Sequence, residues 1–154
     1  MLRYAIAGVV AAGLGVGLMW PEGQAATGPG TLHELAIDRA SDGHFYADAE
    51  VNGAPVRFLI DTGTTTIALS REDAKKAGIE VAPGDFELIG QGASGMVRGK
   101  DVTLDRIALN GVTQDGAKAA VLEVAETSLL GAEFLDTMDE IVIRKGRMTL
   151  RKRG

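Results

Sequence analysis

The sequence has 154 residues, of which 45% are hydrophobic, 24% charged and 5% aromatic, and it contains no cysteine. Without cysteine, the chain cannot form disulfides, thiolate zinc sites or a cysteine nucleophile. The formal charge is −5, and six of the 16 basic residues lie within 144–153, so ten basic residues are set against 21 acidic ones elsewhere. This excess of negative charge repels a phosphate backbone, which argues against nucleic acid as a partner.

The N-terminal segment has the pattern of an export signal or a membrane anchor. Arg3 is followed by a charge-free run from Tyr4 to Trp20, close to the shortest length that spans a bilayer core and longer than a typical signal core. Trp20 followed by Pro21 favours an anchor that ends at the membrane interface. The small residues within 23–26 also permit cleavage by a leader peptidase, so both alternatives stay open.

We therefore expect three parts in the chain: an anchor or signal segment at 1–26, a linker at 27–31 and one domain at 32–154. The length of the last part suits a single domain. Either form of the leader exports this domain. We expect it to be anchored in the inner membrane facing the periplasm, or to be free in the periplasm where the leader is cleaved.

The rest of the chain consists of short apolar runs broken by Gly, Asn, Asp and Pro, a pattern typical of an all-β domain. We predict nine strands from these runs: Leu32–Ile37, Phe45–Val51, Val56–Ile60, Phe86–Ile89, Met96–Leu104, Ile107–Leu109, Ala117–Val124, Ile141–Arg144 and Met148–Arg151. Hairpin turns are predicted at three pairs that tolerate positive φ: Asn52-Gly53, Asn110-Gly111 and Lys145-Gly146. A short helix is predicted over 71–77, capped by Ser70 and stopped by Gly78, and a second one after Gly131.

The most informative stretch is FLIDTGTT, from Phe58 to Thr65. A buried strand ends directly in Asp61, and Gly63 then allows the chain to turn. A carboxylate in such a half-buried place needs hydrogen bonds, and the candidate donors are Thr62, Thr64 and local backbone amides. A hydrogen bond from the Thr64 hydroxyl would favour the charged form of the carboxylate. Taken alone, the tripeptide also fits an ordinary turn that closes a strand.

Two further segments follow in order, namely IGQGASGMVRG at 89–99 and LLGAEFL at 129–135, the latter a strand ending in Gly before a helix. Together with FLIDTGTT they resemble the retropepsin-like (clan AA) aspartic peptidases, in particular the bacterial, exported, single-domain group. The resemblance covers 44–151. It implies an all-β, retropepsin-like fold in which one chain forms half of an acid protease, a closed β-barrel with one or two short helices, and is active as a homodimer.

The resemblance implies an aspartic-type endopeptidase that hydrolyses peptide bonds in a peptide or protein substrate. Two close carboxylates share one proton, because like charges at that distance cannot both ionise. The chain has a single Asp-Thr-Gly, so a functional pair requires Asp61 from two identical chains. The chemistry uses activated water and implies no cofactor and no metal.

The resemblance also implies roles for the residues around Asp61. The Thr62 hydroxyl pins the two loops together, Gly63 permits the close approach of the chains, and Thr64 supports the carboxylate. The glycine-rich hairpin is implied to be a mobile flap, formed by Gly90, Gln91, Gly92, Ala93, Ser94 and Gly95. The hydrophobic-Gly motif is formed by Leu129, Leu130 and Gly131.

Alternative interpretations remain for the flap segment, for the function of the domain and for the basic segment 144–153. The flap segment matches the dinucleotide pattern G-x-G-x-x-G, but a strand-like sequence follows it, so no helix N-terminus is expected to hold a pyrophosphate. A non-catalytic peptide-binding or assembly module on the same fold is the alternative to an enzyme. The basic segment 144–153 is predicted to be an edge strand protected by its charges, with contact to anionic lipid headgroups as the alternative.

Overall fold

The computed structural model describes residues 30–92 and 95–154. The predicted anchor or signal at 1–26 lies outside the described residues, as do most of the linker and the flap residues Ala93 and Ser94. Within the two described ranges, no helix combines the length and the apolar character that a membrane span requires.

The described residues form a mainly β structure of two sheets with two short helices. The strands are β1 (Leu32–Asp38), β2 (Tyr46–Val51), β3 (Ala54–Ile60), β4 (Ile67–Leu69), β5 (Glu87–Gly92), β6 (Gly95–Thr103), β7 (Arg106–Leu109), β8 (Val112–Asp115), β9 (Lys118–Leu122), β10 (Ser128–Leu130), β11 (Glu140–Arg144) and β12 (Arg147–Arg153). The helices are α1 (Arg71–Lys76) and α2 (Ala132–Leu135), and a single 3₁₀ turn spans Pro83–Asp85. The all-β prediction is confirmed.

The larger sheet has nine strands in the order β5-β6-β9-β4-β10-β3-β2-β7-β8. Most neighbours are antiparallel, but β10 runs parallel to β3, and β4 runs parallel to β9. In the β10–β3 pair Leu130 lies opposite Ile60, so both strands end side by side at the same edge of the sheet. This arrangement brings the residues that follow β3 next to those that follow β10.

The core is built from the alternating side chains of these strands. In β3 every second residue is buried, namely Val56, Phe58 and Ile60, while the intervening residues are more exposed. This alternation is expected for a strand with one face on the core. Phe134 of α2 is fully buried, and so is Ile67 of β4. The ends of β3 and β10 therefore pack against buried apolar side chains of the core.

The local predictions are confirmed where short-range chemistry decides them. All three hairpin turns have positive φ at both central residues, with φ of 50° at Asn52 and 82° at Gly53 as an example. Ser70 caps α1 by accepting a hydrogen bond from the Asp73 N–H, and Gly78 ends it with φ of 73°. Two strands were not predicted: β4 and β8 are only three and four residues long.

The predicted closed barrel is not observed in the described residues. The nine-stranded sheet runs from β5 at one end to β8 at the other, and these end strands pair with one neighbour each. At the two ends β5 pairs with β6 and β8 pairs with β7, and within the described residues no pairing joins β5 to β8. All six residues of β5 are exposed, so the β5–β6 hairpin projects from the sheet instead of closing it.

The prediction that the basic segment forms an edge strand was wrong. In the smaller sheet β12 is the central strand, with β1 on one side and β11 on the other. Its charges are neutralised by carboxylates of neighbouring segments: Arg147 contacts Asp38, Arg151 contacts Glu34, and Lys152 contacts Asp139. Acidic residues far away in the sequence therefore allow a basic strand to lie inside a sheet.

We expect this smaller sheet to loosen in acid. A hydrogen bond from Arg147 and its charge lower the pKa of Asp38, and the backbone N–H of Arg153, followed by Lys152, lowers the pKa of Asp139. A folded-state pKa below the unfolded value of about 3.9 stabilises the fold above that value, and this stabilisation is lost as the pH falls through the folded-state pKa. Amide protection factors in β1 and β12 should therefore decrease below about pH 4.

Hydrogen exchange at a series of pH values checks this expectation. The Asp38→Asn variant is the control, because it removes the Asp38 carboxylate and should lose that part of the pH dependence. Equal protection factors in neutral and strongly acidic solution would show that these carboxylates do not stabilise the smaller sheet.

Candidate active site

Asp61 lies at the end of β3, in a tight turn that its own side chain closes. Its backbone N–H donates to the Leu130 carbonyl over 3.1 Å, so the parallel pairing of β3 and β10 continues one residue past Ile60. The Asp61 Oδ1 accepts a hydrogen bond of 2.9 Å from the Gly63 N–H. The carboxylate is half-buried and is aimed by the strand and the turn together.

The Asp61 loop packs directly on the hydrophobic-Gly motif. The Ala132 N–H donates to the Thr64 carbonyl over 2.9 Å. A Cβ at Gly131 would collide with the carbonyl oxygen of Thr66 and lie 2.5 Å from Thr64 Cγ2. Gly131 itself has an extended backbone with φ of −102°, so close approach and not an unusual conformation requires glycine here. The Asp61 loop and the hydrophobic-Gly motif, which are about 70 residues apart in the sequence, are therefore in direct contact in the fold.

The residues that follow Asp61 lie at or near the protein surface. Thr62 and Gly63 are exposed, while Thr64 is half-buried. The predicted hydrogen bond from the Thr64 hydroxyl to the Asp61 carboxylate is not present among the described residues, since the donor is the Gly63 N–H. The physical reason is that the Thr64 side chain turns its methyl group towards Gly131. The roles of Thr62 and Gly63 between subunits stay predictions.

The predicted flap is an antiparallel hairpin of β5 and β6. Gly92 pairs with Gly95, and a bulge between Leu88 and Gly90 shifts the register. The hairpin carries exposed apolar side chains, with Leu88 55% and Met96 70% exposed. Because a strand and not a helix follows Gly95, the segment lacks the helix N-terminus that binds a pyrophosphate. The dinucleotide interpretation is therefore rejected.

One part of the site was not predicted from the sequence. Ser128 of β10 is fully buried, donates from Oγ to Asp73 Oδ2 over 2.7 Å, and accepts from the Ser70 N–H over 3.0 Å. Ser70 Oγ also contacts the same Asp73 oxygen over 3.0 Å. This network fixes α1 to the strand that leads into Gly131. The capping pattern revealed Ser70, but a single serine in an apolar strand gave no signal for Ser128.

Ser128→Ala should lower the free energy of unfolding by about 1–3 kcal/mol, because it leaves the buried Ser70 N–H without its acceptor. Urea unfolding followed by circular dichroism measures the loss. Ser41→Ala, at an exposed position, is the matched control and should change stability by less than about 0.5 kcal/mol. An equal, small effect of both substitutions would show that the network does not stabilise the fold.

Sequence comparison identifies the class of protein that this fold and this site define. Residues 47–134 match the family model described as aspartyl protease. This match contains β3, the Asp61 loop, the flap hairpin, β10 and Gly131. The chain therefore belongs to the aspartyl protease family.

Two curated bacterial proteins are similar to this chain in sequence. The chain is 33% identical over 120 residues to an uncharacterized protein from Sinorhizobium sp, and 30% identical over 117 residues to one from Rickettsia prowazekii (strain Madrid E). These alignments cover 77% and 76% of this chain but 52% and 51% of the relatives, so the chain spans about half the length of the curated relatives it matches.

A solved structure supports the fold. A retropepsin-like aspartic protease from Rickettsia conorii superposes with a TM-score of 0.68 at 29% identity, covering 81% of this chain and 95% of that chain. The fold is therefore retropepsin-like.

Proposed function

We propose that the protein is an aspartic endopeptidase that acts as a homodimer, with one Asp61 from each chain. The observation that carries the proposal is the geometry of the strand end. Asp61 is half-buried, aimed by the β3–β10 pair and held by the Gly63 N–H. Thr62 and Gly63, which follow Asp61 in the chain, are exposed. A chain that supplies one such carboxylate is half of a two-carboxylate site.

The proposed chemistry follows from the pairing of two identical acids. Two carboxylates about 3 Å apart hold one proton between them, because the second ionisation is strongly disfavoured. The ionised Asp61 takes a proton from a bound water, and the protonated Asp61 of the partner subunit polarises the scissile carbonyl. Water adds to give a tetrahedral diol. As the diol collapses, the proton taken from the water passes to the amide nitrogen, the carbon–nitrogen bond breaks, and the two peptide products leave without an acyl-enzyme intermediate.

The flap hairpin supports an extended peptide as the substrate. An extended segment binds by backbone hydrogen bonds, and its alternate side chains enter pockets. Leu88 and Met96 supply exposed apolar groups on this hairpin, which suits apolar side chains of a substrate. Closure of the hairpin over the bound strand would exclude water from the carboxylates.

We further propose that the domain is exported. The support is the charge-free run from Tyr4 to Trp20 behind Arg3. Cell fractionation of the full chain, with N-terminal sequencing of the recovered protein, tests this proposal and separates an anchor from a cleaved signal. Recovery of the intact chain in the cytoplasmic fraction alone would contradict export.

Cleavage of a peptide library between about pH 3 and pH 7 tests the enzymatic proposal. Cleavage by the wild-type protein but not by Asp61→Asn supports it. Binding of peptides without any cleavage across this range would favour the non-catalytic binding module instead.

A further inference from the structure

We propose that Arg98 is a positioning residue that sets the direction in which the β5–β6 hairpin leaves the sheet. The proposal rests on the proposed function in one respect, namely that this hairpin is the flap that covers the substrate. It adds which side chain holds the flap and to which groups that side chain binds. These groups are the Phe86 carbonyl and the Glu123 carboxylate.

The first observation is that the hairpin has little other support. The strand β6 pairs with β9 only from Gly99 onwards, where Gly99 lies opposite Leu122. Within the described residues, 95–98 of β6 pair with β5 alone, and all six residues of β5 are exposed. An isolated two-stranded hairpin is only marginally stable in water. The direction of this hairpin therefore has to be fixed where it joins the sheet.

The second observation is that Arg98 lies at this junction and binds on both sides of it. It is the last residue of β6 before the pairing with β9 begins. Its carbonyl accepts from the Glu123 N–H over 2.9 Å, and its Nε donates to Glu123 Oε2 over 2.8 Å. Its Nη2 donates to the Phe86 carbonyl over 2.6 Å. One side chain thus joins the segment that enters β5 to the segment that leaves β9.

The two groups that the guanidinium binds are themselves held by the fold. Phe86 is 3% exposed, so its ring belongs to the core, and the Arg71 guanidinium of α1 lies 5.3 Å from the ring centroid. A cation over an aromatic face is attracted to it. Glu123 begins the segment that connects β9 to β10, and the Leu130 carbonyl of β10 accepts from the Asp61 N–H. The flap is therefore tied to the core and to the segment that leads to the site.

The backbone beside Arg98 is built to bend. A bulge at Ile89 shifts the register of the hairpin, and bulges bend the strand that carries them. On the facing strand, a Cβ at Gly99 would lie 2.5 Å from Ile89 Cδ1 and 2.9 Å from the Val121 carbonyl oxygen. The Ile89 side chain therefore packs on the bare backbone of Gly99. A bulge and a glycine side by side define a bending point, and the Arg98 contacts span it.

The chemistry of the side chain suits this role. A guanidinium presents several donors in one plane, so it can bind a carboxylate and a carbonyl at the same time. A lysine ammonium is a single point charge without this fork. The Arg98 side chain is 54% exposed and that of Glu123 is 33% exposed, so dissolved ions weaken their attraction. The hold on the flap should therefore depend both on the arginine fork and on ionic strength.

Hydrogen exchange of the full chain tests the proposal without any substrate. In Arg98→Gln, the amides of 87–92 and 95–98 should exchange about 10-fold faster than in the wild type, while those of β3 and β10 keep their rates. The matched control is Arg106→Gln, which removes an ion pair of the same kind at the other end of the same sheet. There Arg106 Nε contacts Asp115 Oδ1 over 2.7 Å. This control should leave exchange in the flap hairpin unchanged.

A second variant separates the charge from the hydrogen bond. Glu123→Gln keeps a side-chain oxygen that can accept from Arg98 Nε but removes the negative charge. It should accelerate exchange of the same hairpin amides by a smaller factor, about 3-fold. Exchange in the core strands reports whether either variant has a folding defect, so an effect confined to the hairpin is specific.

Kinetics with an uncharged peptide substrate test the link to the site. Arg98→Gln should raise KM by about 10-fold and keep kcat within about 2-fold, because flap contacts to the substrate weaken while the Asp61 carboxylates are untouched. Arg98→Lys should raise KM less. The KM ratio of Arg98→Gln to wild type should fall towards 1 between about 0.05 M and about 1 M NaCl, because salt screens the ion pair that only the wild type has.

The outcomes separate this proposal from the proposed function. Flap exchange in Arg98→Gln equal to that in Arg106→Gln would overturn the role of Arg98, and so would a KM ratio near 1 at low salt. A wild-type protein that cleaves no peptide, or full cleavage by Asp61→Asn, would instead contradict the proposed function, and the exchange experiment would still decide whether Arg98 holds the hairpin. Faster exchange confined to the hairpin, with a KM increase that salt abolishes, is the result that the proposal predicts.

Discussion

Asp61→Asn should lower peptide cleavage by about 1,000-fold or more, because asparagine cannot exchange a proton with the attacking water. The substitution changes the fold very little. An asparagine Oδ1 still accepts the hydrogen bond that Asp61 Oδ1 accepts from the Gly63 N–H. The loss should therefore appear in kcat while the thermal unfolding midpoint stays close to that of the wild type. Steady-state cleavage of a fluorogenic peptide measures kcat, and thermal unfolding measures the midpoint.

The control for this variant is Asp101→Asn, which removes an exposed carboxylate of β6. It has the same change of charge and should keep wild-type activity. Full cleavage by Asp61→Asn, or equal loss in both variants, would show that the carboxylate at the end of β3 is not the reacting group.

Gly131→Ala should lower the free energy of unfolding by about 3 kcal/mol and remove most of the activity. The methyl group would meet the carbonyl oxygen of Thr66 and lie 2.6 Å from the carbonyl oxygen of Thr64. These are backbone atoms, so no side-chain rotation relieves the clash, and the Asp61 loop has to move. Chemical denaturation and cleavage assays measure the two losses.

Gly84→Ala is the matched control for the glycine substitution. A Cβ at Gly84 has no neighbouring atom within 4 Å, so this variant should be as stable and as active as the wild type. Gly131→Ala with wild-type stability and activity would show that the two motifs do not need their close contact.

The sequence allowed the site motifs and the turns to be predicted because their chemistry is local. Asn52 and Gly53 accept positive φ, so the hairpin before β3 followed from two residues. Asp61 after an apolar run predicted a carboxylate at a strand end, which the structure contains. The contact between Gly131 and the Asp61 loop was not predicted, because no local signal in the sequence indicates which segments meet there.

The remaining features depend on contacts between distant residues. The central position of β12 comes from its pairing with β1, in which Leu32 lies opposite Arg153, and no pattern within β12 indicates that partner. The strand β4 has three consecutive buried residues and therefore no alternation to recognise. Ser128 acquires its role only when the fold places it beside Asp73.

The most direct test of the central claim, that one site needs Asp61 from two chains, is a mixing experiment. Wild-type and Asp61→Asn chains are combined at constant total concentration, allowed to exchange subunits, and assayed for cleavage. If both carboxylates are required, activity follows the square of the wild-type fraction, so an equal mixture retains about a quarter of full activity. Activity in direct proportion to the wild-type fraction, about one half in the equal mixture, would contradict the shared site.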